Sequence, residues 1–338
     1  MLGPTELELH ALLGMPPRIS AAHLQAVAAL IDRQSTLKII ESVLSDPGAL
    51  QQIAARSYTH TLGFKKIVLL DPGLDLPDGS RGFGYQLRLH LWEPGTTGSA
   101  PLVESMHEHS FDFISHLLEG QMENQCYNIE PSSAGNELLL SRMLLQLREL
   151  SASERMELNR QMEAGEAVRL QPYESLQAAA EGLDARFDRR WLLEKLGLAP
   201  EELLTAIGMH GRYQSVMSGT QAGTYVHRLV ENINLKPYAV LRLRAGDTYH
   251  HPHRFAHRLY IPANQSNATM IVTTPVSQSA MGGSFQRPSW IDGSDVSYSR
   301  TVYTTEELAA TLRAFHARLK SQAQTGSGRL LDVACASG

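Results

Sequence analysis

The stretch from Tyr85 to Tyr127 restricts the fold of this 338-residue chain more than any other. It contains an apolar run over 85–92, a Pro94-Gly95 turn, a His-Glu-His step, a second apolar run over 111–118 and a Leu-Leu-Glu-Gly turn. Short runs with β-branched or aromatic residues, separated by Gly and Pro turns, are typical of strands. The stretch therefore predicts two strands that flank a pair of histidines.

The histidine pair His107 and His109 predicts a metal site, provided that it lies on a strand. Residues i and i+2 of a strand point to the same face, whereas on a helix they diverge by about 200°. Histidine is also the commonest metal ligand. With 14 histidines in the chain, however, roughly one such step is expected by chance, and His251-Pro-His253 is a second one. The motif alone is therefore weak.

Hydrophobic periodicity predicts the elements along the chain. Helices are expected over 21–33, 35–45, 49–56, 136–150, 152–164, 176–183, 189–196, 200–207 and 306–322. Strands are expected over 67–70, 85–92, 111–118, 121–129, 213–218, 224–230, 238–244, 257–261 and 269–274. A Ser/Gly-rich loop or lid should occupy 276–298, and the tail after Thr325 should be loosely ordered. Ser151-x-x-Glu154 and Thr304-x-x-Glu307 are capping-box patterns.

This order predicts a mainly β protein with α additions, in which the β regions close into one barrel or sandwich. Some 70 helical residues stand between two β regions, as an insertion would. The predicted organisation is 1–57 as N-terminal helices packed on the barrel, 58–130 as its first half, 131–207 as a helical insertion, 208–303 as its second half with a loop, and 304–338 as a C-terminal helix and tail.

The composition excludes several classes of function. A net charge of −5, without a long Lys/Arg run, gives no sign of the basic surface that binds nucleic acid. Cys126 and Cys335 cannot form a disulfide framework, so a reducing compartment is expected. The N-terminal sequence lacks the pattern of a secretory signal, and no apolar run has the length of a membrane helix. We expect a cytoplasmic protein whose partners are neither nucleic acid nor membrane.

A second motif lies far downstream. Gly246–His257 (GDTYHHPHRFAH) has the form G-x5-P-x-R-x-x-H, and together with His107-x-His109 it resembles the two short motifs of the cupin superfamily. This resemblance implies a cupin-type β-barrel, the double-stranded β-helix or jelly roll. Arg254 stands where cupins usually have a glycine, and Phe113 stands where many have a fourth, glutamate ligand. The departure at Phe113 points to a site of three histidines.

The closer resemblance is to the cysteine dioxygenase (thiol dioxygenase) branch of the cupins. It covers roughly 100 residues and is carried by the order and spacing of Tyr58-Thr59-x-x-Leu62, LHLWEPG over 89–95, His107-x-His109, LLEG over 117–120 and His257-Arg258-Leu259. That branch implies a ferrous ion held by three neutral imidazoles, with free positions for substrate and O2. His107, His109 and His257 would be the ligands, although Zn or Mn could occupy them. His250 and His253 are rivals of His257.

Several substrate-handling positions of that branch differ here. His60 stands where the branch has the arginine that binds the substrate carboxylate, and Tyr58 is either a hydroxyl that supports the site from behind the residues in contact with substrate or a buried core tyrosine. Tyr58 and His60 are the residues expected to be catalytic. Phe113 and Thr274 stand close to where it has a Cys–Tyr pair, so that crosslink cannot form. Its Ser and His correspond to Met270 and Val272. Cysteine itself is therefore not the expected substrate.

The strand over 85–92 offers a replacement for the missing arginine. Arg88, His90 and Trp92 alternate on one face, opposite Leu87, Leu89 and Leu91. If Trp92 faces the barrel interior, as the resemblance implies, Arg88 becomes a bidentate anchor for a carboxylate, and His90, Trp92 and Phe113 line the substrate site. The alternative is that this polar face is solvated.

Three functions follow as hypotheses. The first is a mononuclear non-haem Fe(II) oxygenase or dioxygenase whose partners are O2 and a small amino-acid-, thiol- or carboxylate-like substrate. The second is a Zn- or Mn-dependent isomerase or hydrolase on the same scaffold. The third is a non-enzymatic cupin that binds a small molecule. The helical insertion is expected to make an interaction or capping contact, and a homodimer contact is one such role.

Overall fold

The computed structural model describes residues 21–60, 63–72, 74–75, 81–82, 84–93, 102–170, 187–217, 224–263, 265–274, 282–286, 297–299, 301–322 and 328–333. The described ranges contain eight helices, numbered here along the chain: α1 Ala21–Leu30, α2 Arg33–Ser45, α3 Pro47–Ala54, α4 Ala134–Arg148, α5 Ala152–Leu170, α6 Arg189–Leu196, α7 Pro200–Gly208 and α8 Thr305–Ser321.

Two antiparallel sheets carry most of the strands, again numbered along the chain. The first sheet has the order β1 Tyr58–Thr59, β2 Lys65–Leu70, β5 Gln86–Trp92, β14 Asn267–Thr273, β8 Phe113–Glu119 and β12 Thr248–His251, and it ends with β17 Leu330–Asp332, which runs parallel to β12. A separate pair consists of β3 Leu74–Asp75 and β4 Arg81–Gly82.

The second sheet has the order β10 Met209–Met217, β15 Gly283–Gln286, β7 His107–Glu108, β13 Phe255–Ile261, β9 Gln121–Pro131, β11 Thr224–Arg244 and β16 Ser297–Ser299, with β6 Leu102–Val103 beside β13. Strand β10 also pairs with β11, which closes β7, β13, β9, β11, β10 and β15 into a six-stranded ring.

The strand order is that of a double-stranded β-helix. Successive strands β7, β8 and β9, and then β11, β12, β13 and β14, mostly alternate between the two sheets. The order β5-β14-β8-β12 therefore faces the order β7-β13-β9-β11, which is the jelly-roll arrangement of the cupin barrel. The expected class, mainly β with α additions around a cupin-type barrel, is confirmed.

The barrel interior is packed by side chains from both sheets. Trp92 and Phe113 of the first sheet share one buried cluster with Cys126 and Leu259 of the second. The opposite face of the first sheet carries Leu87, Leu89 and Leu91, which are buried against helices α1, α2, α3 and α8. The leucine-rich helices α4–α7 form their own core. The period-2 pattern of β5 thus separates a helix-covered face from a barrel-facing one.

Both predicted capping boxes are confirmed. The Thr304 hydroxyl accepts the Glu307 N–H at 3.2 Å, and the Glu307 carboxylate accepts the Thr304 N–H at 2.8 Å, at the start of α8. Ser151 and Glu154 exchange the corresponding bonds at 3.3 and 3.0 Å before α5. These bonds satisfy N–H groups that have no partner within a helix.

The second half of the barrel differs from the prediction in its strand lengths. The two strands expected over 224–230 and 238–244 are one strand of 21 residues, β11. Its register against β9 shifts between Pro237 and Ala239. Proline cannot donate to the ladder and is tolerated at such an irregularity, so Pro237 does not end the strand.

Four further segments differ from the prediction or cannot be compared with it. Leu330–Asp332 pairs with β12, so the expectation of a loosely ordered tail is wrong for these residues. The loop expected over 276–298 contains β15 and part of β16. Strand β8 begins at Phe113, which leaves Phe111 in the preceding turn. The helix expected over 176–183 lies outside the described residues.

Buried ion pairs hold both strands that carry the histidines of interest. Behind β13, the Arg258 guanidinium lies 3.4 Å from the Glu166 carboxylate of α5, and its Nε donates to Gln125. Behind β7, Arg212 of β10 donates to both oxygens of Glu108, at 2.6 and 2.8 Å. The helical insertion therefore contacts β13 directly, and β10, the ring strand that follows the insertion, is held to β7. In the described ranges, no helix has the length and apolarity of a transmembrane segment.

We expect Glu166→Gln to lower the free energy of unfolding by about 3 kcal/mol, because it leaves the Arg258 guanidinium buried without its countercharge. Urea denaturation measures the change. Glu194→Gln, which removes the exposed i,i+4 pair with Arg190 in the same insertion, is the control and should cost less than about 0.5 kcal/mol. Equal losses in the two variants would contradict the importance of the buried pair.

Candidate metal centre

Two neighbouring strands bring His107, His109 and His257 together. His107 of β7 and His257 of β13 are direct antiparallel partners, so their side chains share one face of the second sheet. Glu108 points to the opposite face, towards Arg212. His109 follows β7, and its ring centroid lies 4.9 Å from that of His107 and 5.2 Å from that of His257. All three imidazoles therefore converge inside the barrel.

The separation between the Nε2 atoms of His109 and His257 fits a common ion. One nitrogen from each histidine lies within 4.8 Å of the others, and the Nε2 atoms of His109 and His257 are 3.1 Å apart. Two nitrogens that each bind an ion at about 2.1 Å are about 3.0 Å apart at a right angle and about 3.4 Å apart at the tetrahedral angle. The observed separation is closer to the right angle. The group can hold a metal ion.

Hydrogen bonds select the nitrogen that faces the centre. His107 donates from Nδ1–H to the Ser105 carbonyl at 2.8 Å, and His257 donates from Nδ1–H to Asn124 Oδ1 at 2.9 Å. Each ring then presents the lone pair of Nε2, the form in which an imidazole binds a metal.

Burial also favours the neutral form of these rings. It lowers the pKa of His107, and it lowers the pKa values of His109 and His257 well below the ordinary value, with smaller contributions from the neighbouring histidines. Neutral imidazoles are competent ligands without a prior loss of protons.

The two rival histidines lie away from this group. The Nδ1 of His253 is 2.6 Å from Asp112 Oδ1, and its backbone N–H donates to the same oxygen. His250 lies opposite Ile114, whose side chain belongs to the cluster under the helices, and its Nδ1 contacts Asp332 at 3.3 Å. Of the three candidates for the third position, the structure brings only His257 to His107 and His109.

Aromatic rings surround the three imidazoles. Phe113 lies 5.1 Å from His109 and 5.6 Å from His257, measured between ring centroids, and Phe111 stacks on His109 at 5.0 Å. His251 packs 4.3 Å from His257 and stacks on Phe113. Its Nε2–H donates to the Phe255 carbonyl, and burial lowers its pKa to about 3. These rings form an aromatic wall beside the three imidazoles.

The inward face of β5 carries the residues predicted to bind substrate. Trp92 packs in the interior cluster, 5.1 Å from Phe64, and His90 lies 4.5 Å from the same ring. The guanidinium of Arg88 is buried and lies 4.8 Å over Phe111. One aromatic ring thus separates Arg88 from His109. This polar face is inside the barrel, so the alternative of a solvated face is wrong.

Tyr58 and His60 lie at the far end of the same aromatic row. His60 stacks on Phe64 at 4.6 Å, and Tyr58 lies 6.1 Å from His60. The Lys66 ammonium donates to the Tyr58 hydroxyl at 3.1 Å, and Lys66 is the β2 partner of His90. Burial lowers the pKa of His90 well below its usual range, and Lys66 and Arg88 add to the effect.

One sequence correspondence is wrong by one position. Met270 and Val272 of β14 are buried in the cluster under the helices, not in the barrel interior. The alternate side chains of β14 face inward instead, where Thr269 lies opposite His90 and Ile271 opposite Arg88. A shift of one residue exchanges the two faces of a strand, so Thr269, Ile271 and Thr273 line the interior.

The sequence did not identify four residues that contact the predicted site, namely Asn124, Phe111, Glu104 and His251. Asn124 is the most informative, because a fully buried amide on the apolar face of a strand is unusual unless it is hydrogen-bonded. The alternation Met122-Glu-Asn124-Gln-Cys126 gives a weak signal, since it places an amide on the apolar face of β9. Its partner on β13 could not be read from this pattern.

No family model matches the chain, and no curated protein matches it. Similar solved structures include the Momordica charantia 7S globulin, at 8% identity and a TM-score of 0.26, with 78% of this chain and 43% of the globulin covered. The Acinetobacter sp. DL28 L-ribose isomerase has 16% identity, a TM-score of 0.27 and coverages of 74% and 73%. The Cellulomonas parahominis L-ribose isomerase has 15% identity, a TM-score of 0.28 and coverages of 84% and 96%.

The chain thus spans less than half the length of the globulin that it resembles. TM-scores of this size carry no argument about fold or activity, so both are argued from the chain itself. The chain has the cupin fold. That statement rests on the strand order, and the three-histidine group provides a position for a metal ion.

Glu104 predicts a pH dependence of stability near this centre. Burial raises the pKa of Glu104 to about 8, although the Trp92 indole N–H donates to its carboxylate at 3.3 Å. An unfolded glutamate has a pKa of about 4.3. Between these values the folded state retains a proton that the unfolded state has lost, so the contribution of Glu104 to stability falls as pH rises.

We therefore expect Glu104→Gln, which can still accept the indole N–H, to become more stable than the wild type as pH rises from 5.5 to 7.5. The difference in unfolding free energy should grow by up to about 1.4 kcal/mol per pH unit. Urea denaturation of both proteins across this range measures it. A difference that does not change with pH would contradict the raised pKa.

Proposed function

We propose that this protein is a mononuclear non-haem Fe(II) oxygenase, of the dioxygenase type, that acts on a small anionic substrate. The observation that carries the proposal is the set of three neutral imidazoles that meet inside the barrel. Within the described ranges, no carboxylate joins that group. A divalent ion held by neutral ligands retains its full positive charge, which favours anionic substrate groups as further ligands.

Iron is proposed in preference to zinc or manganese on two grounds. The first is the resemblance of His107-x-His109 and His257-Arg258-Leu259 to the motifs of the thiol dioxygenase branch. The second applies to zinc alone: the 3.1 Å nitrogen separation suits ligands at right angles, which iron and manganese both accept, better than the tetrahedral sites common for structural zinc. A ferrous ion bound by His107, His109 and His257 would supply neighbouring positions at which a chelating substrate and O2 bind together.

The residues of the chain would then orient the substrate and exclude water. The Nε of the buried Arg88 guanidinium donates to Gln86 Oε1 at 2.6 Å, and a substrate carboxylate would bind the outer N–H groups of the same guanidinium, which arginine can present as a pair. Phe111 holds the guanidinium by a cation–π contact and also stacks on His109. The same ring would therefore fix the distance between the carboxylate anchor and the metal ligands.

The charged side chains near the imidazoles favour an anionic substrate. Lys66 and Arg88 each help to lower the pKa values of His90 and His109, so both cations lie near the two imidazoles. The carboxyl of Glu104, whose pKa is about 8, is mainly protonated at neutral pH. A carboxylate or thiolate would gain from these two cations in a low-dielectric site.

Oxygen uptake tests the proposal. Protein purified without oxygen and loaded separately with Fe(II), Mn(II) or Zn(II) is mixed with small amino acids, thiols and carboxylates in an oxygen electrode cell. We expect substrate-triggered uptake only in the Fe(II) form. Turnover of the Mn(II) or Zn(II) form without O2 would instead establish an isomerase or hydrolase. Ligand binding that survives His107→Ala in metal-free protein would establish a non-enzymatic binder.

We expect Arg88→Met to raise the KM, or the Kd of a carboxylate inhibitor, by about tenfold to a hundredfold, because a charged hydrogen bond contributes roughly 1.5–3 kcal/mol. The metal content should not change. Arg254→Met is the matched control, since the Arg254 guanidinium also lies over a phenyl ring, at 4.9 Å from Phe255, but on the exposed surface. Unchanged affinity in Arg88→Met would remove Arg88 from the substrate site.

A further inference from the structure

Asn124 lies directly behind the third histidine of the metal centre. Its side chain is fully buried on β9, and its Oδ1 accepts the Nδ1–H of His257 at 2.9 Å. The residues paired with Asn124 on the two adjacent strands are Leu259 and Leu241. An amide therefore occupies a position whose immediate strand partners are apolar.

The amide is costly at this position. Burial of an amide group without all its hydrogen bonds costs free energy, and within the described ranges the Asn124 Nδ2 has no hydrogen-bond partner. A leucine of similar size would avoid this penalty and would pack against the neighbouring leucines. The fold alone thus gives no reason for an asparagine here, whereas the bond to His257 does.

That bond determines which nitrogen of His257 carries the proton. An amide oxygen can only accept, so the proton must be on Nδ1, and the lone pair of Nε2 then points towards His109. The opposite amide orientation would place the proton on Nε2 and block the ligand position. His107 needs no such side chain, because its Nδ1–H donates to the Ser105 backbone carbonyl.

We propose that Asn124 is a positioning residue of the metal centre: it holds His257 in the Nδ1-protonated form and aims Nε2 at the ion. The inference rests on the proposed function only in that His257 must be a ligand. Partners that hold the second N–H of a metal-binding imidazole fix its orientation and raise its basicity. The Asn124–His257 bond is therefore expected to set the metal affinity.

Metal titration of three variants tests this role. The wild-type apo-protein, Asn124→Leu and Asn124→Asp are titrated with Zn(II), and with Fe(II) under anaerobic conditions, against a chromophoric chelator. We expect Asn124→Leu to bind about 10- to 100-fold more weakly, because the His257 N–H loses its acceptor. Asn124→Asp retains an acceptor, so it should bind at least as tightly as the wild type. Asn128→Leu, on the same face of β9, is the matched control and should stay within twofold of the wild type.

The rescue by aspartate separates positioning from packing. A merely structural role predicts that both Asn124 variants lose affinity together, and that result would overturn the inference, as would wild-type affinity in Asn124→Leu. If the wild type itself binds neither metal, the proposed function fails and the inference fails with it. Nitrogen-15 spectra of the histidines in the wild type give a measurement without any variant. A His257 proton on Nδ1 supports the inference, and a proton on Nε2 overturns it.

Discussion

The pairing of His107 with His257 across β7 and β13 is the contact on which the site depends. Because strand residues alternate between faces, the same pairing that brings two imidazoles together inside the barrel turns Glu108 and Arg258 to the outside. There they form buried ion pairs with Arg212 and Glu166. The ligand strands are thus fixed from both faces, and the helical insertion that supplies Glu166 stabilises the strand of the third histidine.

The interior of the barrel combines this rigid arrangement with a particular charge balance. Burial keeps the imidazoles neutral. Two cations, Lys66 of β2 and Arg88 of β5, belong to the first sheet, opposite the sheet that carries the histidines. Neutral ligands leave the charge of a bound ion uncompensated by the protein, which under the proposed function favours an anionic substrate group as a further ligand.

Local patterns predicted the parts of this structure that depend on local spacing. The alternation in β5 separated Arg88 from the helix-covered leucines, and the spacing of His107 and His109 required a strand. The sequence could not choose among the histidines over 250–257 from pattern alone, because that choice depends on pairing with β7, about 150 residues away. The same limit applies to Asn124 and to the terminal strand β17, whose partners are distant in sequence. The register error at Met270 and Val272 shows how one residue exchanges the faces of a strand.

The metal content of histidine variants tests the account most directly. Wild type, His107→Ala, His109→Ala, His257→Ala and His253→Ala are loaded with Fe(II) without oxygen, desalted and analysed for bound iron. The account predicts one equivalent per chain in the wild type and in His253→Ala, whose histidine contacts Asp112 instead. It predicts substantial loss in the other three variants. Full iron in His257→Ala, or loss in His253→Ala alone, would contradict the central claim that His107, His109 and His257 hold one ion.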